Sequence, residues 1–314
     1  MSDEKQRFES KQKTRKVLLI AAACVVAIAI AIGIVVAIGG IGTKKIAIGS
    51  KNYTEQLILG NMLADIIEAH TDYKVERKLN LGGTLPCVEA LKSGDIDVYV
   101  DYASTIFINA LKKPVGDISK EAIYAVLESE LPGQFNFMPL GLLGFDQPYE
   151  LSVKTAFAAE NNLKTIDDLK PIQDRLILSP SFEFVNREDG LIGVEKFYGI
   201  QFGSIIPMEA GLRYSALESG TANVIVTFGT DAMKLVTDLI PLEDPRHVFM
   251  PMDAVPFFNV KSFEKNLDVV NAVKLLLNTI TNAEMIAMNY EVDHDKQLPE
   301  DVAKNFLRRK GLIE

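Results

Sequence analysis

The chain has 314 residues, long enough for two compact lobes with a sizeable core. It carries 33 basic against 42 acidic side chains, a net charge of −9, and so lacks the basic surface that a nucleic-acid partner requires. Two cysteines and three scattered histidines (His70, His247, His294) exclude a disulfide framework and offer no zinc-ligand spacing; no phosphate loop or nucleophile elbow is present, so no cofactor is expected.

The first element predicted in chain order is a membrane segment. Val17 to Thr43 contains no charged side chain, and a helix needs about 20 apolar residues to cross a bilayer. The basic run Lys11 to Lys16 precedes it, which predicts residues 1–16 as a cytoplasmic terminus, 17–43 as a single transmembrane anchor, and the rest outside the cell membrane. A cleaved signal peptide has a shorter apolar core, about 7–15 residues. A second alternative is a lipid anchor at Cys24, since "IAAAC" loosely resembles a lipobox, although Ala21 stands where Leu is usual. Residues 1–43 carry six basic and three acidic side chains, so the outer part carries −12, which suits a solvated extracytoplasmic domain. Its one cysteine, Cys87, can make no internal disulfide.

From Lys44 strands and helices alternate. "KKIAIGS" predicts a strand and Tyr53 to His70 a helix, with Leu59, Met62, Leu63, Ile66 and Ile67 on one stripe. Asn52 followed by Glu55 suggests a capping box at its start. "YKVERKLN" alternates as a strand, "LGGT" is a turn, and Pro86 suits the first turn of a helix ending at Ser93. In "SGDIDVYVDYAST" the residues Ile96, Val98 and Val100 form the core face of a third strand. This run implies a parallel sheet flanked by helices. A second α/β run follows: a helix from Ile118 to Leu131, the strand "FNFMPL", a crossing segment "GFDQPYELSVK", a short helix "LKTIDDL" and the strand "RLILSP". Helices at Leu191–Tyr198 and Met208–Ser219 then precede the strand "NVIVTF". Lys261 to Leu312 reads as almost entirely helical. Two α/β units predict two lobes with a cleft, and ligands of open α/β sheets bind beyond the carboxyl ends of strands. Tyr102 and Phe228 stand just past two such ends.

The segments "IAIGSKNYTEQLILGNMLADIIE", "VERKLNLGGT", "EALKSGDIDVYVDYAST", "GFDQPYELSV" and "FVNREDGLIGVEKFYG" resemble the glycine betaine/carnitine/choline-binding proteins of ABC osmoprotectant importers, over essentially all of 44–314. The resemblance implies a type II periplasmic-binding-protein fold, lobe I being 44–146 plus 251–314 and lobe II 147–250. It implies a small quaternary-ammonium solute as ligand, an ABC permease and a separate ATPase as partners, and no catalysis. A quaternary ammonium has no N–H to donate, so dispersion and aromatic faces must hold it, at roughly 0.5 to 2 kcal/mol per contact. A carboxylate instead wants cations and donors, best from arginine. Carried over by motif, Lys51 matches the carboxylate lysine, Tyr102 and Tyr149 two box tyrosines, Thr105 the carboxylate hydroxyl and Arg187 the arginine of the other lobe. The third and fourth box tyrosines fall on Phe228 and Met252, with Phe257 or Phe258 as alternatives to the methionine. Phenylalanine keeps the ring face, whereas a thioether is polarizable but has none. A larger betaine or another trimethylated amino acid is therefore an alternative ligand, and a sensory receptor an alternative role. Without the resemblance, Arg187 could simply pair with Glu188 or Asp189, Lys51 could be surface charge, and Tyr53, Tyr99 and Tyr198 read as structural.

Overall fold

A computed structural model describes residues 44–314; the expected terminus and anchor within 1–43 lie outside the described residues. Among the described residues no helix is long and apolar enough to cross a membrane. Two five-stranded sheets organise the chain.

The first sheet has the order β2-β1-β3-β10-β4, with β1 at Lys45–Gly49, β2 at Lys74–Lys78, β3 at Val98–Tyr102, β4 at Phe137–Pro139 and β10 at Ala254–Asn259. Strand β3 is buried along its whole length, as expected of a central strand covered on both faces. The predicted parallel run holds for β2, β1 and β3, but β10 lies antiparallel between β3 and β4. Its absence from the expected elements has a physical cause. Pro256 interrupts the run and donates no ladder hydrogen bond, a feature usually confined to edge strands.

The second sheet has the order β7-β6-β8-β5-β9: β5 at Tyr149–Lys154, β6 at Ile177–Ser179, β7 at Ser204–Ile205, β8 at Val224–Phe228 and β9 at Leu239–Pro241. Here β5 runs antiparallel to β8 and β9. One antiparallel strand in each sheet is the consequence of a chain that crosses between lobes twice and returns.

Helices cover the sheets. The first, α1 (Thr54–His70), buries Ile58, Leu59, Met62, Leu63, Ile66 and Ile67. The suggested capping box is absent: Tyr53 is the N-cap, no side chain caps it, and Glu55 is used elsewhere. Helix α2 (Thr84–Ser93) follows the "LGGT" turn, and a short α3 (Ala103–Asn109), not anticipated, starts directly from β3. After α4 (Lys120–Phe135) and α5 (Thr155–Asn161), the second lobe adds α6 (Leu191–Tyr198) and α7 (Ala210–Ser219). The tail is helical as expected, with α8 (Val260–Lys265), α9 (Leu267–Lys274), α10 (Asn282–Asp293) and α11 (Pro299–Arg309). Helices α9, α10 and α11 pack against α1, the helix that lies on β1, β2 and β3 of the first sheet.

The two crossings, residues 140–148 and 242–253, pair antiparallel. Asp146 bridges to Asp253, and the Gln147 amide donates to the Met252 carbonyl at 3.0 Å. Gly144 in the first crossing has φ +112, and a Cβ there would come within 2.7 Å of the Ile280 carbonyl oxygen. Gly144→Ala is expected to destabilise the fold by about 1–3 kcal/mol from backbone strain and the clash together. A thermal melt at wild-type temperature would refute this.

Candidate functional site

The carboxyl ends of β1, β3, β6 and β8 converge with the two crossings on one cavity of about 160 Å³. Lys51, Tyr102, Thr105, Tyr149, Arg187, Phe228 and Met252 all line it. Phe257 and Phe258 do not; both are fully buried in β10.

Local structure explains each position. Tyr102 ends β3 and is the N-cap of α3, which puts Thr105 in the first turn of that helix. Tyr149 opens β5 and lies in register opposite Phe228, the last residue of β8. Their ring centroids are 5.0 Å apart. Tyr149 also meets Phe184 edge-on at 5.1 Å. Met252 is carried by the second crossing, hydrogen-bonded to the first, and is 4 % exposed.

The cations are buried and paired. Lys51 is 3 % exposed, and its Nζ is 2.5 Å from Asp101 Oδ1. Burial pushes the Asp101 carboxyl above its usual range, against the pull of Lys51 and of hydrogen bonds from the Tyr102 amide and the Tyr99 hydroxyl. Arg187 is also 3 % exposed. It donates Nε to Asp189 Oδ1 at 2.8 Å and Nη2 to Asp189 Oδ2 at 2.5 Å, a bidentate pair. Its Nη1 donates to Glu183 Oε1 at 3.0 Å and its Nη2 also to Thr105 Oγ1 at 3.2 Å. The last contact joins the lobes. Of the two suggested pairings for Arg187, Asp189 is the one formed.

Several lining residues carried no sequence signal for this role. Tyr53 is one: its ring stacks on Phe228 at 6.0 Å with planes 7° apart. Glu183 reaches from the second lobe toward the "LGGT" turn of the first, where a Cβ on Gly83 would lie 3.1 Å from its Oε2. Burial alone would raise its carboxyl, but Lys51 and Arg187 face it and hold it down to about 2. Arg213 is fully buried, with its guanidinium 5.5 Å from the Phe228 ring centroid. Glu209 and the exposed Phe182 complete the wall. The spacing of Glu183 and Arg187, four residues apart, was the available signal for a pair, but within a loop it specifies nothing.

Protein cations already cover ring faces here. Lys51 Nζ lies 5.2 Å from the Tyr102 centroid and Arg187 5.4 Å from that of Tyr149. The wall therefore joins aromatic rings, the three buried cations Lys51, Arg187 and Arg213 and the two carboxylates Glu183 and Glu209, and contributions come from both lobes. Such a wall can hold a small zwitterion or cation; it positions no nucleophile and base against each other. Among the described residues no group of side chains could hold a metal ion.

The family model for the substrate-binding domain of ABC-type glycine betaine transport systems matches residues 44–309. The ergothioneine transport permease/ergothioneine binding protein EgtU of Helicobacter pylori is 31% identical over 87% of this chain, which spans only 49% of that relative's length. The carnitine transport binding protein OpuCC of Listeria monocytogenes is 29% identical over 88% of this chain and 90% of its own. A solved glycine betaine/carnitine/choline ABC transporter structure superposes with a TM-score of 0.68 at 28% identity, covering 86% of this chain and 100% of that one.

Proposed function

The chain belongs to the family of substrate-binding domains of ABC-type glycine betaine transport systems, and from that premise we propose that it captures a quaternary-ammonium solute in the cavity between its lobes. In this reading Tyr102, Tyr149 and Phe228, with Met252, surround the ammonium. Lys51, Arg187 and Thr105 take the carboxylate. The observation that supports it is the convergence of rings and cations from both lobes on one cavity wall. Each ring face that the ammonium meets contributes about 0.5–2 kcal/mol, against about 8 kcal/mol for micromolar binding. Lobe I is assigned to 44–146 plus 251–314 and lobe II to 147–250, with closure between them giving the ligand its preference for the closed state. The receptor passes its solute to an ABC permease driven by a separate ATPase. Residues 17–43 anchor it in the membrane with the solute-binding domain outside.

A second reading concerns the ligand. Glu209 adds an acceptor to the wall that a simple betaine does not need, and Phe228 offers no hydroxyl. Both features suit a larger trimethylated amino acid that carries a donor on its side chain, as ergothioneine does.

Calorimetry of the full chain against glycine betaine, proline betaine, carnitine, choline and ergothioneine tests both. Binding of at least one at micromolar or tighter affinity is expected, and preference for ergothioneine selects the second reading. Binding of only an uncharged sugar or a simple amino acid overturns both.

A further inference from the structure

The "YTEQ" segment contributes a carboxylate that the ligand cavity does not use. Glu55 is 2 % exposed and does not line that cavity. Its Oε1 accepts from the Tyr102 hydroxyl at 2.5 Å. Its Oε2 accepts from Thr230 Oγ1 at 2.6 Å and from Asn289 Nδ2 at 3.0 Å. Asn289 Nδ2 also donates to the Thr230 carbonyl at 3.0 Å. Tyr102 and Asn289 belong to the first lobe, on β3 and α10. Thr230 belongs to the second, two residues past β8.

We propose that Glu55 is the latch of the cleft: it binds the Thr230 hydroxyl across the lobe junction and at the same time fixes the hydroxyl of the cavity tyrosine Tyr102. Closing the lobes then orders the ring, because one carboxylate holds both partners. The remaining positions on the Tyr102 hydroxyl are filled by Tyr53 Oη at 3.0 Å and Gln56 Nε2 at 3.2 Å, so the ring has one orientation. Glu55 acts through Tyr102 and touches no ligand, which makes it a positioning residue. The latch stands on geometry alone; only its effect on affinity rests on the reading given above.

The latch is linked to pH. All three donors to Glu55 are neutral. Burial pushes its carboxyl up to about 7, with Asp231 reinforcing and the bonds from Thr230, Tyr102 and Asn289 opposing. When the cleft opens, Thr230 departs with its lobe, water reaches the carboxyl, and it returns toward its ordinary 4.5. Closing therefore takes up a proton between those values. The closed state is favoured at pH 6 and loses that advantage as pH rises through 7. Glu55 also lines a second cavity of about 480 Å³, on the far side of the Tyr53–Phe228 stack, which gives the proton a route. The charged groups around that cavity are Asp231 behind β8, Glu209 before α7, Asp293 on α10 and Lys296 after it; the tyrosines facing it are Tyr53 and Tyr214. Neither cavity is lined by a histidine, the residue that would otherwise titrate in this range.

The test uses the ligand-free full chain first. Amide hydrogen exchange, corrected for its intrinsic pH dependence, reads protection of 224–235 at pH 6 and pH 8. Wild-type protection is expected to fall about tenfold between the two. Glu55→Gln keeps the size of the side chain and is expected to show no fall; Thr230→Val is expected to be weakly protected at both. Undiminished protection of 224–235 in Thr230→Val overturns the latch, and equal wild-type protection at both pH values, or an undiminished fall in Glu55→Gln, overturns its link to pH. Calorimetry with glycine betaine, carnitine and choline then reads the coupling: proton uptake on binding at pH 6 in wild type, and none in Glu55→Gln. Binding without linked proton uptake refutes the coupling while leaving the receptor intact. An exchange signal with no binding of any probe supports the latch and refutes the ligand assignment.

Discussion

Arg187→Ala is expected to damage stability and binding together, and a second substitution separates the two. The guanidinium is 3 % exposed and holds Asp189, itself 2 % exposed, in a bidentate pair. Removing it strands a buried carboxylate, and breaking a buried pair this way costs about 3–5 kcal/mol. It also removes the donor to Thr105, a bond between the lobes, and one of the cations facing Glu183. Binding of a carboxylated betaine is expected to weaken by at least about tenfold, about 1.4 kcal/mol. Arg187→Lys does not restore either property, because a point charge cannot span both Asp189 oxygens. The double variant Arg187→Ala with Asp189→Asn relieves the stranded charge. It is expected to recover stability in denaturant melts while binding stays weak. Recovery of binding in the double variant would mean that Arg187 holds the loop and not the ligand. A single variant that melts and binds like wild type would remove Arg187 from the site altogether.

Much of this architecture is written locally in the sequence. The stripe of Leu59, Met62 and Ile66 needs no tertiary knowledge to be read as a buried helix face; the alternation of Ile96, Val98 and Val100 found the buried segment but not its form, since β3 begins at Val98, buries both faces, and Ile96 packs in a different cluster from Val98 and Val100. What escaped is what depends on the partner. Strand β10 contains Pro256 and pairs only because two neighbours flank it. Glu55 satisfies the spacing of a capping box, yet its acceptors are spent on Tyr102, Thr230 and Asn289, the last 234 positions away. Local spacing cannot weigh that competition. The seven expected site residues meet in one cavity because motif order carried them there, while Tyr53, Glu183 and Arg213 look in sequence like ordinary surface or core residues. A charge in a loop reads as solvated until the opposite lobe is put against it.

Tyr102 separates ring from hydroxyl, and the two variants at this position are expected to differ in kind. Its side chain is fully buried, so Tyr102→Ala opens a core void costing about 3–5 kcal/mol, and it deletes a ring from the cavity wall. Loss of one aromatic face from a quaternary ammonium is worth about 0.5–2 kcal/mol, and the collapse of the wall adds to it, so binding is expected to fall by at least about tenfold. Tyr102→Phe keeps the ring. It removes the donor to Glu55 Oε1 and the acceptor for Tyr53 and Gln56, leaving buried polar atoms unpaired at about 1–3 kcal/mol. Stability should therefore drop in both variants, but affinity far more in the alanine than in the phenylalanine. Calorimetry paired with denaturant melts reads both quantities. Equal affinity losses would mean that the hydroxyl network, not the ring face, carries recognition. Unchanged affinity in both would take Tyr102 out of the ligand wall and leave it as part of the lobe core.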